Sequence, residues 1–429
     1  MIQRTLEQLS KSISSGITPF RGNVDFWRNG SIPWLKTEQL GERNIYRTNE
    51  HITAEALSKT SIKLNPLNTI AIAMYGEGKT RGNVSILRSE MTTNQACCNV
   101  VLDQTLADTD YIYYFLKNQY QKLRSLSSGV RKNLNSADIK GFTINLPGTV
   151  ARQAKIARIL AVLDDKIEVN NRINAELEGM AKLLYDYWFV QFDFPMTAAQ
   201  AAAIGKPKLA GQAYRASGGK MIPNEALKRE IPEGWTSGNL EKLGRIIGGS
   251  TPSTEMPEYF STDGTPWITP KDLSDNVGNR FIDHGAMGVT SEGIKAASLK
   301  LLPAGTVLMS SRAPIGYLAV ARNTVTTNQG FKSFVPGTEF STDYIYFTLS
   351  HFMKLIKANA SGSTFKEISG GTLKVVQIHL PPVELVKKFT EFASSLSEQQ
   401  SVLEKQNQEL TQLRDWLLPM LMNGQITVS

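Results

Sequence analysis

Cysteine and histidine are scarce in this sequence, and their placement excludes several kinds of site. The two cysteines, Cys97 and Cys98, are adjacent, which suits neither a disulfide framework nor the separated ligands of a structural zinc ion. The four histidines are scattered without metal-ligand spacing: His51, His284, His351 and His379. We therefore expect no metal site, and a reducing cytoplasm is the simplest compartment.

Long apolar runs are missing as well. No stretch approaches the ~20 apolar residues that a membrane span needs. The first residues, MIQRTLEQLSKSISSG, contain no apolar signal core. The sequence therefore predicts a soluble, cytoplasmic protein that is not exported.

What the sequence does have is length and positive charge. The chain has 429 residues, with 47 Lys and Arg against 39 Asp and Glu, so its net charge is +8. Single domains usually hold about 100–200 residues, so we expect at least two hydrophobic cores. The positive balance favours a polyanionic partner without requiring one.

The sequence repeats itself at an offset of 233 or 234 residues. The landmarks are IPWLKTEQL at 32–40 with TPWITPKDL at 265–273, TTNQ at 92–95 and 326–329, TDYIY at 109–113 and 342–346, and Ser128-Gly129 with Ser361-Gly362. Several landmarks in the same order at a nearly constant offset indicate an internal duplication.

Each half has a mixed part followed by a strongly periodic part. The mixed parts alternate short apolar runs, such as 69–74 and 305–309, with Gly, Asn and Pro, which is typical of strands and loops with a few helices. The sequence predicts an α+β fold with two repeated mixed α/β domains and two long helices that form an antiparallel coiled coil. The predicted segments are a first domain at 1–150, a central helix at 151–195, a linker at 196–230, a second domain at 231–382 and a C-terminal helix at 383–429.

Apolar residues recur every seven positions in both periodic parts, the spacing of a coiled-coil seam. The predicted seam residues are Phe389, Leu396, Leu403, Leu410 and Leu417, with Ile156, Leu163, Asn170, Leu177 and Leu184 in the first copy. Beside these positions lie Leu160, Ile167, Ile173 and Met180 in the first helix, and Gln399 and Gln406 in the second. Polar residues at such positions, Asn170 included, usually fix register or orientation.

A helix of about 35 residues is roughly 50 Å long, which is more than a small domain needs. We therefore expect helix 151–190 to pair with helix 383–420. An antiparallel pairing would hold the two domains at opposite ends of a rod. The alternative is that each helix packs only on its own domain.

Catalytic motifs are incomplete throughout. AMYGEGKT at 73–80 has Ala73 where a phosphate-binding loop needs its first glycine, and a dinucleotide fingerprint fails because its third glycine falls one residue late, at Gly82. Residues 380–383, LPPV, have the prolines of an amine-methyltransferase loop without its polar and aromatic flanks. We therefore predict a non-catalytic chain.

The landmarks resemble those of a known family. A PWIT-like segment, a TTNQ-like segment, Ser-Gly before Leu-Pro, and a long helix ending in LLYDYWFV or WLLPMLMNGQI are similar, in both copies, to the halves of a type I restriction-modification specificity subunit. The sequence departs from the pattern after the Leu-Pro step, where Arg152-Gln153 and Glu384-Leu385 stand in place of an acidic residue followed by glutamine.

The resemblance implies that each mixed domain is a target recognition domain, which reads one half of a bipartite DNA site. It implies that the helices set the spacer between the half-sites and dock two methyltransferase (modification) subunits. Restriction subunits would join the assembly, and the partners would bind S-adenosylmethionine, ATP and Mg²⁺, with no cofactor in this chain.

If the domains read different half-sites, residues that are identical in both copies cannot carry the distinction. We therefore interpret Thr92 to Gln95 and their repeats as structural, and Trp34 and Trp267 as core residues. Basic and polar residues in the irregular stretches are better candidates for DNA contacts. The predicted DNA-binding residues are Lys36, Lys79, Arg81, Arg131, Lys132 and Asn133 in the first domain, and Lys271, Arg312, Ser363 and Lys366 in the second.

Among these candidates, Arg81, Arg131 and Arg312 are the strongest for sequence specificity, because arginine is the commonest bidentate reader of guanine. Residues 1–150 hold 18 basic and 12 acidic side chains, against 13 and 12 in residues 231–382. We expect the first domain to contribute more of the salt-dependent affinity. Two other functions stay open: a protein-interaction scaffold, and a nuclease, for which the sequence offers no convincing carboxylate cluster.

Overall fold

The computed structural model describes residues 2–76, 78–126, 133–203, 205–212, 220–312, 314–360, 367–426 and 428. The chain has the predicted α+β fold and forms two compact units. Unit 1 contains Met1–Val169 and Asn407–Ser429, and unit 2 contains Asn170–Gln406. Each of the two long helices therefore contributes one part to each unit.

The first mixed domain begins at the N-terminus and ends where the first long helix begins. Its strands are β1 (Ile2–Thr5), β2 (Ser10–Ser15), β3 (Ile32–Leu35), β4 (Asn44–Ile45), β5 (Glu50–Ile52), β6 (Ile70–Ala73), β7 (Val84–Leu87), β8 (Thr92–Thr93), β9 (Cys97–Leu102) and β10 (Thr143–Leu146). Its helices are α1 (Ala54–Lys59), α2 (Thr109–Asn118), α3 (Tyr120–Ser125) and α4 (Ser136–Lys140), and the long helix α5 (Val150–Tyr185) follows.

After α5 come a π-helical turn at Asp186–Val190, helix α6 (Ala198–Ala203) and the second mixed domain. Its strands are β11 (Met221–Asn224), β12 (Arg229–Pro232), β13 (Thr236–Asn239), β14 (Gly244–Gly248), β15 (Phe260–Ser261), β16 (Thr265–Ile268), β17 (Phe281–Ile282), β18 (Met287–Val289), β19 (Val307–Met309), β20 (Leu318–Ala321), β21 (Thr326–Thr327), β22 (Lys332–Pro336) and β23 (Gln377–Leu380). Its helices are α7 (Pro270–Asp275), α8 (Ser291–Ala296), α9 (Thr342–Ala358), α10 (Gly370–Val375) and the long helix α11 (Val383–Met422).

The two domains have the same sheet order. A five-stranded sheet runs β2-β9-β6-β7-β4 in the first and β14-β22-β19-β20-β17 in the second. A smaller sheet runs β5-β3-β8 in the first and β18-β16-β21 in the second, where β15 is added beside β18. Even the register is repeated, because Trp34 lies opposite Thr92 in a parallel pair and Trp267 lies opposite Thr326 in another. The duplication seen in the sequence is therefore a duplication of the fold.

The TDYIY segments start equivalent helices. The Asp108 side chain accepts a hydrogen bond from the backbone N–H of Tyr111 (2.9 Å), and the Ser341 side chain accepts one from the N–H of Tyr344 (3.3 Å). These side chains cap α2 and α9 by satisfying an N–H group that the first turn of a helix leaves free. Both tyrosines are fully buried against the five-stranded sheet of their domain.

Helices α5 and α11 contact each other inside each unit. In unit 1, Arg414 of α11 donates to Asp164 of α5 (2.7 Å). In unit 2, Asn170 of α5 donates to Gln406 of α11 (2.8 Å), and the ring centroids of Tyr185 and Phe389 are 6.0 Å apart. Residues later in α5 contact residues earlier in α11, so the two helices run in opposite directions. The predicted antiparallel pairing is therefore confirmed.

Each helix also packs on the mixed domain that precedes it, and this widens its buried face. Of the predicted seam residues, the buried ones are Ile156, Asn170, Leu177 and Phe389, and the half-buried ones are Leu163, Leu184, Leu396, Leu403, Leu410 and Leu417. Ile173 and Met180 are 39% and 57% exposed, and Gln399 and Gln406 are exposed. The buried neighbours lie one residue later, at Asn174, Ala181, Gln400 and Asn407.

The segment predicted as a linker contains regular structure. Helix α6 and the antiparallel pair of β11 and β12 lie in or next to it, with Met221 opposite Pro232. The ring of Trp235, just after β12, stacks on Phe194 at 5.9 Å and meets Phe192 edge to face at 5.1 Å. Phe192 and Phe194 precede the predicted linker; within it, Met221, Ile222 and Leu227 pack against the core of the second domain.

Candidate nucleic-acid interface

The repeated TTNQ segments make the same hydrogen bonds in both domains. In the first domain the Thr92 hydroxyl donates to the carbonyl of Pro33 (2.8 Å), and the side-chain oxygen of Gln95 accepts from the Thr18 hydroxyl. The equivalent bonds in the second domain run from Thr326 to Pro266 (3.0 Å) and from Thr251 to Gln329. These side chains join two strands and a loop, which agrees with a structural role.

The repeated tryptophans share one bond and differ in exposure. The indole N–H of Trp34 donates to the carbonyl of Ile17 (3.0 Å), and that of Trp267 donates to Ser250 (3.1 Å). Trp34 is 1% exposed, so its assignment to the core is confirmed. Trp267 is half-buried, so its assignment to the core is wrong; the side chains around it differ from those around Trp34.

The loop that follows β6 differs in length from the one that follows β19. In the first domain it runs from 74 to 82, and a hydrogen bond from the N–H of Gly82 to the carbonyl of Ala73 (2.9 Å) closes it. In the second domain it runs from 311 to 316, and a hydrogen bond from the N–H of Gly316 to the carbonyl of Ser310 (3.0 Å) closes it. Gly82 has a φ of 88°, and a Cβ there would lie 2.9 Å from the Arg124 side chain. Gly82, the late third glycine of the failed dinucleotide fingerprint, thus serves this turn.

Both loops are held beside the end of the TTNQ framework. The N–H of Met74 donates to the carbonyl of Ala96 (2.8 Å), and the N–H of Ser311 donates to Gly330 (2.7 Å). The equivalent loops therefore occupy equivalent places and differ in sequence. A surface that distinguishes two half-sites needs loops of different sequence at equivalent places on a common framework.

Several predicted DNA-binding residues of the first domain lie near this loop. Lys79 and Arg81 are on it, and the Tyr120 hydroxyl of α3 donates to the Lys79 carbonyl (2.6 Å). Asn133 is half-buried just before α4, whereas Arg131 and Lys132 lie outside the described residues.

Lys36 is engaged by two carboxylates, Glu50 (2.8 Å) and Glu38 (2.9 Å). Hydrogen bonds to Glu50 and then Glu38 raise the pKa of the lysine. Its charge is therefore matched within the domain. Its role in DNA binding stays a prediction.

In the second domain, Arg312 is half-buried on the loop at 311–316. It lies against the end of the second TTNQ segment, since a Cβ at Gly330 would be 3.5 Å from the Arg312 Cγ. Lys271 is exposed on α7 and pairs with Asp275 (3.1 Å), a surface pair of small energetic weight. Ser363 and Lys366 lie outside the described residues.

Arg124 is a residue that sequence reasoning missed. It is on α3, and its guanidinium donates to the Tyr120 oxygen (2.6 Å) beside the loop at 74–82. Only the four-residue spacing of Tyr120 and Arg124 on one helix could have indicated it. Its proximity to the loop comes from the tertiary fold.

Other arginines fasten each domain to its helix. In unit 1, Arg43 donates to Asp110 of α2 (2.9 Å) and to Asp165 of α5 (2.6 Å), and Arg88 also donates to Asp110 (2.9 Å). Arg43 is only 9% exposed. These charges are therefore used inside the unit and are not available to DNA.

Unit 2 has the equivalent arrangement. Arg280, which precedes β17 as Arg43 precedes β4, pairs with Asp343 of α9, and Arg322 pairs with Glu404 of α11 (3.0 Å). Burial raises the pKa of the Glu404 carboxyl, which also accepts hydrogen bonds from the N–H groups of Arg280 (2.8 Å) and Phe281 (3.0 Å).

Among the described residues, no group of three or more His, Cys, Asp or Glu side chains could hold a metal ion. Within the same residues, no helix is long and apolar enough to cross a membrane.

These features define a class of protein with two copies of one mixed domain, each fastened to a long helix and each carrying a variable loop on a shared framework. The family model for the type I restriction modification DNA specificity domain matches residues 3–179 and 232–412. The chain belongs to this family and contains two copies of its domain.

Two characterised relatives are similar in sequence. The specificity subunit of the type I restriction enzyme MjaIX from Methanocaldococcus jannaschii is 39% identical over 201 residues, which are 44% of this chain and 45% of that relative. The HindI specificity subunit from Haemophilus influenzae is 29% identical over 344 residues, 72% of this chain and 74% of that relative. The matched region thus spans about half the length of the MjaIX subunit.

A solved structure supports the fold. The S subunit of a type I restriction-modification system from M. genitalium aligns over 98% of this chain and 95% of that one, with a TM-score of 0.58 and 17% identity. At this identity the likeness shows the fold alone.

Proposed function

We propose that this chain is the DNA specificity subunit of a type I restriction-modification complex, in which each mixed domain reads one half of a bipartite site. The observation that carries the proposal is the repeated framework with unequal loops. The TTNQ bonds are the same in both domains, whereas the neighbouring loops at 74–82 and 311–316 differ in length and sequence. Identical framework residues cannot distinguish two half-sites, and the loops can.

The proposal includes no catalytic step in this chain. The methyl donor, ATP and Mg²⁺ would bind to the modification and restriction subunits, and a modification subunit would flip the target base out of the duplex. A specificity subunit then has no need to contact the reacting atom itself. The complex would act in the cytoplasm.

The first test is selection of bound sequences from a random duplex library, with the full chain co-expressed with its modification subunits. We expect two short and different motifs at a fixed separation. Uniform recovery, or no recovery, would contradict the proposal and favour a duplicated scaffold for protein partners.

Apolar residues on the solvent side of the long helices support docking of partner subunits. In unit 1 these include Val162 (54% exposed) and Trp416 (57%). In unit 2 they include Met180 (57%), Leu183 (55%) and Val402 (67%). Exposed apolar residues that recur at helical spacing suit a helix of a partner.

The paired substitution Met180→Glu and Leu183→Glu tests this docking. We expect it to abolish co-purification of the modification subunits while the circular dichroism of the free chain stays unchanged, because both side chains already face solvent. Arg172→Glu, on an exposed position of the same helix, is the matched control. Unchanged assembly in the double variant would exclude this surface as the docking site.

The helices would also set the spacer between the half-sites. Removing one heptad from each helix keeps the seam in phase and shortens each helix by about 10 Å. We expect the selected motifs to move closer together. An unchanged separation would show that the helices do not measure the spacer.

A further inference from the structure

One surface position differs between the two domains although the framework around it is the same. The rings of Trp27 and Trp34 meet edge to face with their centroids 5.0 Å apart, and Phe260 and Trp267 repeat this contact at 5.6 Å. The two pairs are equivalent because Phe260 lies 233 residues after Trp27, and Trp267 lies 233 residues after Trp34. The side chains that cover them are not equivalent.

In the first domain a charged cap covers the aromatic pair. The guanidinium carbon of Arg21 lies 3.8 Å from the centroid of the Trp27 ring and 4.6 Å from that of the Trp34 ring. Arg21 pairs with Glu50, which also pairs with Lys36 (2.8 Å). The cap buries the Trp34 ring and places hydrogen-bond donors above it.

In the second domain each residue of the cap is replaced by an uncharged one. The same offset puts Thr254 at the position of Arg21 and Thr269 at that of Lys36. Strand pairing puts Met287 at the position of Glu50, since Trp34 lies opposite Glu50 and Trp267 lies opposite Met287.

The replacements open an apolar pocket of ≈ 410 Å³. Its lining residues are Thr254, Pro257, Phe260, Trp267 and Met287. Trp267 is half-buried and Met287 is 41% exposed, so both side chains present apolar surface at the mouth of the pocket.

The second TTNQ segment connects the pocket to the loop that carries Arg312. Thr251, three residues before Thr254, donates to Gln329 of this segment. The next residue, Gly330, lies against the Arg312 side chain. The strand end that leads to the pocket and the loop proposed above to contact DNA are therefore both anchored on the same segment.

We propose that this pocket reads a thymine in the second half-site through the C5-methyl group, an inference that rests on the proposed function. On the base edges of the major groove, the thymine methyl is the apolar group that duplex DNA presents, and the other groups are hydrogen-bond donors and acceptors. An uncharged aromatic pocket at a DNA-reading surface has no other complementary feature on a base edge. In the first domain Arg21 covers the equivalent rings, so we do not expect the same reading there.

The test uses the full chain with its modification subunits and the duplex selected from the random library. Each thymine of the selected site is replaced in turn by deoxyuridine, which removes only the methyl group. We expect one position in one half-site to lose about fourfold in affinity, the value of one buried methyl group. If no thymine in either half-site depends on its methyl group, the proposal is wrong.

A cap-transfer variant assigns the effect to the pocket. Thr254→Arg with Met287→Glu installs the Arg21–Glu50 pair of the first domain's cap and changes no framework residue. We expect thymine and deoxyuridine to become equivalent at that position while the motif of the other half-site stays unchanged. The matched control, Arg21→Thr with Glu50→Met, should leave the deoxyuridine effect intact.

The remaining outcomes separate this proposal from the proposed function. If the cap-transfer variant loses its modification subunits and keeps its base preference, the pocket binds a protein and the thymine proposal is wrong. If the wild-type complex selects two motifs but no pocket variant changes either motif, the proposed function is supported and the thymine proposal is wrong. If the wild-type complex selects no sequence, the proposed function itself fails.

Discussion

The two domains are fastened to their helices by equivalent arginine–aspartate pairs that lie at different depths. In unit 1, Asp110 is 27% exposed and is shared by Arg43 and Arg88. In unit 2, the side chain of Asp343 is 10% exposed, pairs with Arg280 and accepts a hydrogen bond from Ser397 of α11 (2.7 Å). In unit 1 the aspartate is shared by two arginines, and in unit 2 the aspartate is more deeply buried.

This difference shows how a duplicated fold can diverge without losing its architecture. The sheet order and the TTNQ hydrogen bonds are the same in both halves. Residues around them changed the depth of the ion pairs and the cover of the aromatic pairs. Substitutions at equivalent positions should therefore have unequal effects.

The largest expected difference concerns these aspartates. Asp343→Asn should destabilise unit 2 by about 3–5 kcal/mol, because the buried Arg280 charge loses its short ion pair and keeps the longer one to Glu178 (3.6 Å). Asp110→Asn should cost less, about 1.5–3 kcal/mol, since Arg43 keeps its bond to Asp165 (2.6 Å). Hydrogen exchange of peptides from α9 and α2 in urea measures each unit separately. Equal losses would show that depth does not control this fastening.

The repeated tryptophans give the next comparison. Trp34→Ala removes a ring that is 1% exposed and should cost about 3–5 kcal/mol. Trp267→Ala removes a half-buried ring at the open pocket and should cost about 2 kcal/mol. Chemical denaturation followed by exchange of the β3 and β16 amides tests this order. A reversed order would mean that the pocket is closed in solution.

A smaller difference should appear with pH. Burial, together with the nearby charges of Arg229 and His351, lowers the pKa of His379 to about 4. Between that value and the ordinary 6.5, the unfolded chain takes up a proton that the folded chain does not. Unit 2 should therefore lose roughly 2 kcal/mol of stability between pH 7 and pH 5.

The control for the pH effect comes from the first domain. Strand pairing places Asn145 at the position of His379, so His379→Asn copies a residue that does not titrate. This variant should lose most of the slope whatever its absolute stability; the part that remains comes from His351, whose pKa burial also lowers. An undiminished slope between pH 7 and pH 5 in the variant would assign the effect to another group.

Much of the fold could be predicted from the sequence because its signals are local or repeated. Short apolar runs between Gly, Asn and Pro predict strands such as β6, and the seven-residue spacing predicts α5 and α11. The duplication adds confirmation, since an element predicted in one half must exist in the other. Of the companion positions of the helix seam, Leu160 is buried and Ile167 half-buried as expected, whereas the four others are exposed and could not be predicted. They depend on the domain that covers each helix as well as on the partner helix.

The candidate interface was predictable only in part. Their place beside the landmarks predicts Lys79, Arg81 and Arg312 as DNA-binding residues, and the structure puts them on equivalent loops. Lys36 has the same kind of sequence context, yet two carboxylates engage it. Arg124 and Arg21 were missed because their neighbours are distant in sequence.

The sequence by itself determined the duplication, the class of fold and the positions of the long helices, because these depend on spacing along the chain. Only the tertiary structure decided which arginines fasten a domain and which aromatic pair stays open. Arg43 meets Asp165 across 122 residues, and Arg21 covers a ring whose counterpart in the other half is uncovered. Whether a charge is available to a ligand depends on the side chains that folding places next to it, and local spacing carries no information about them.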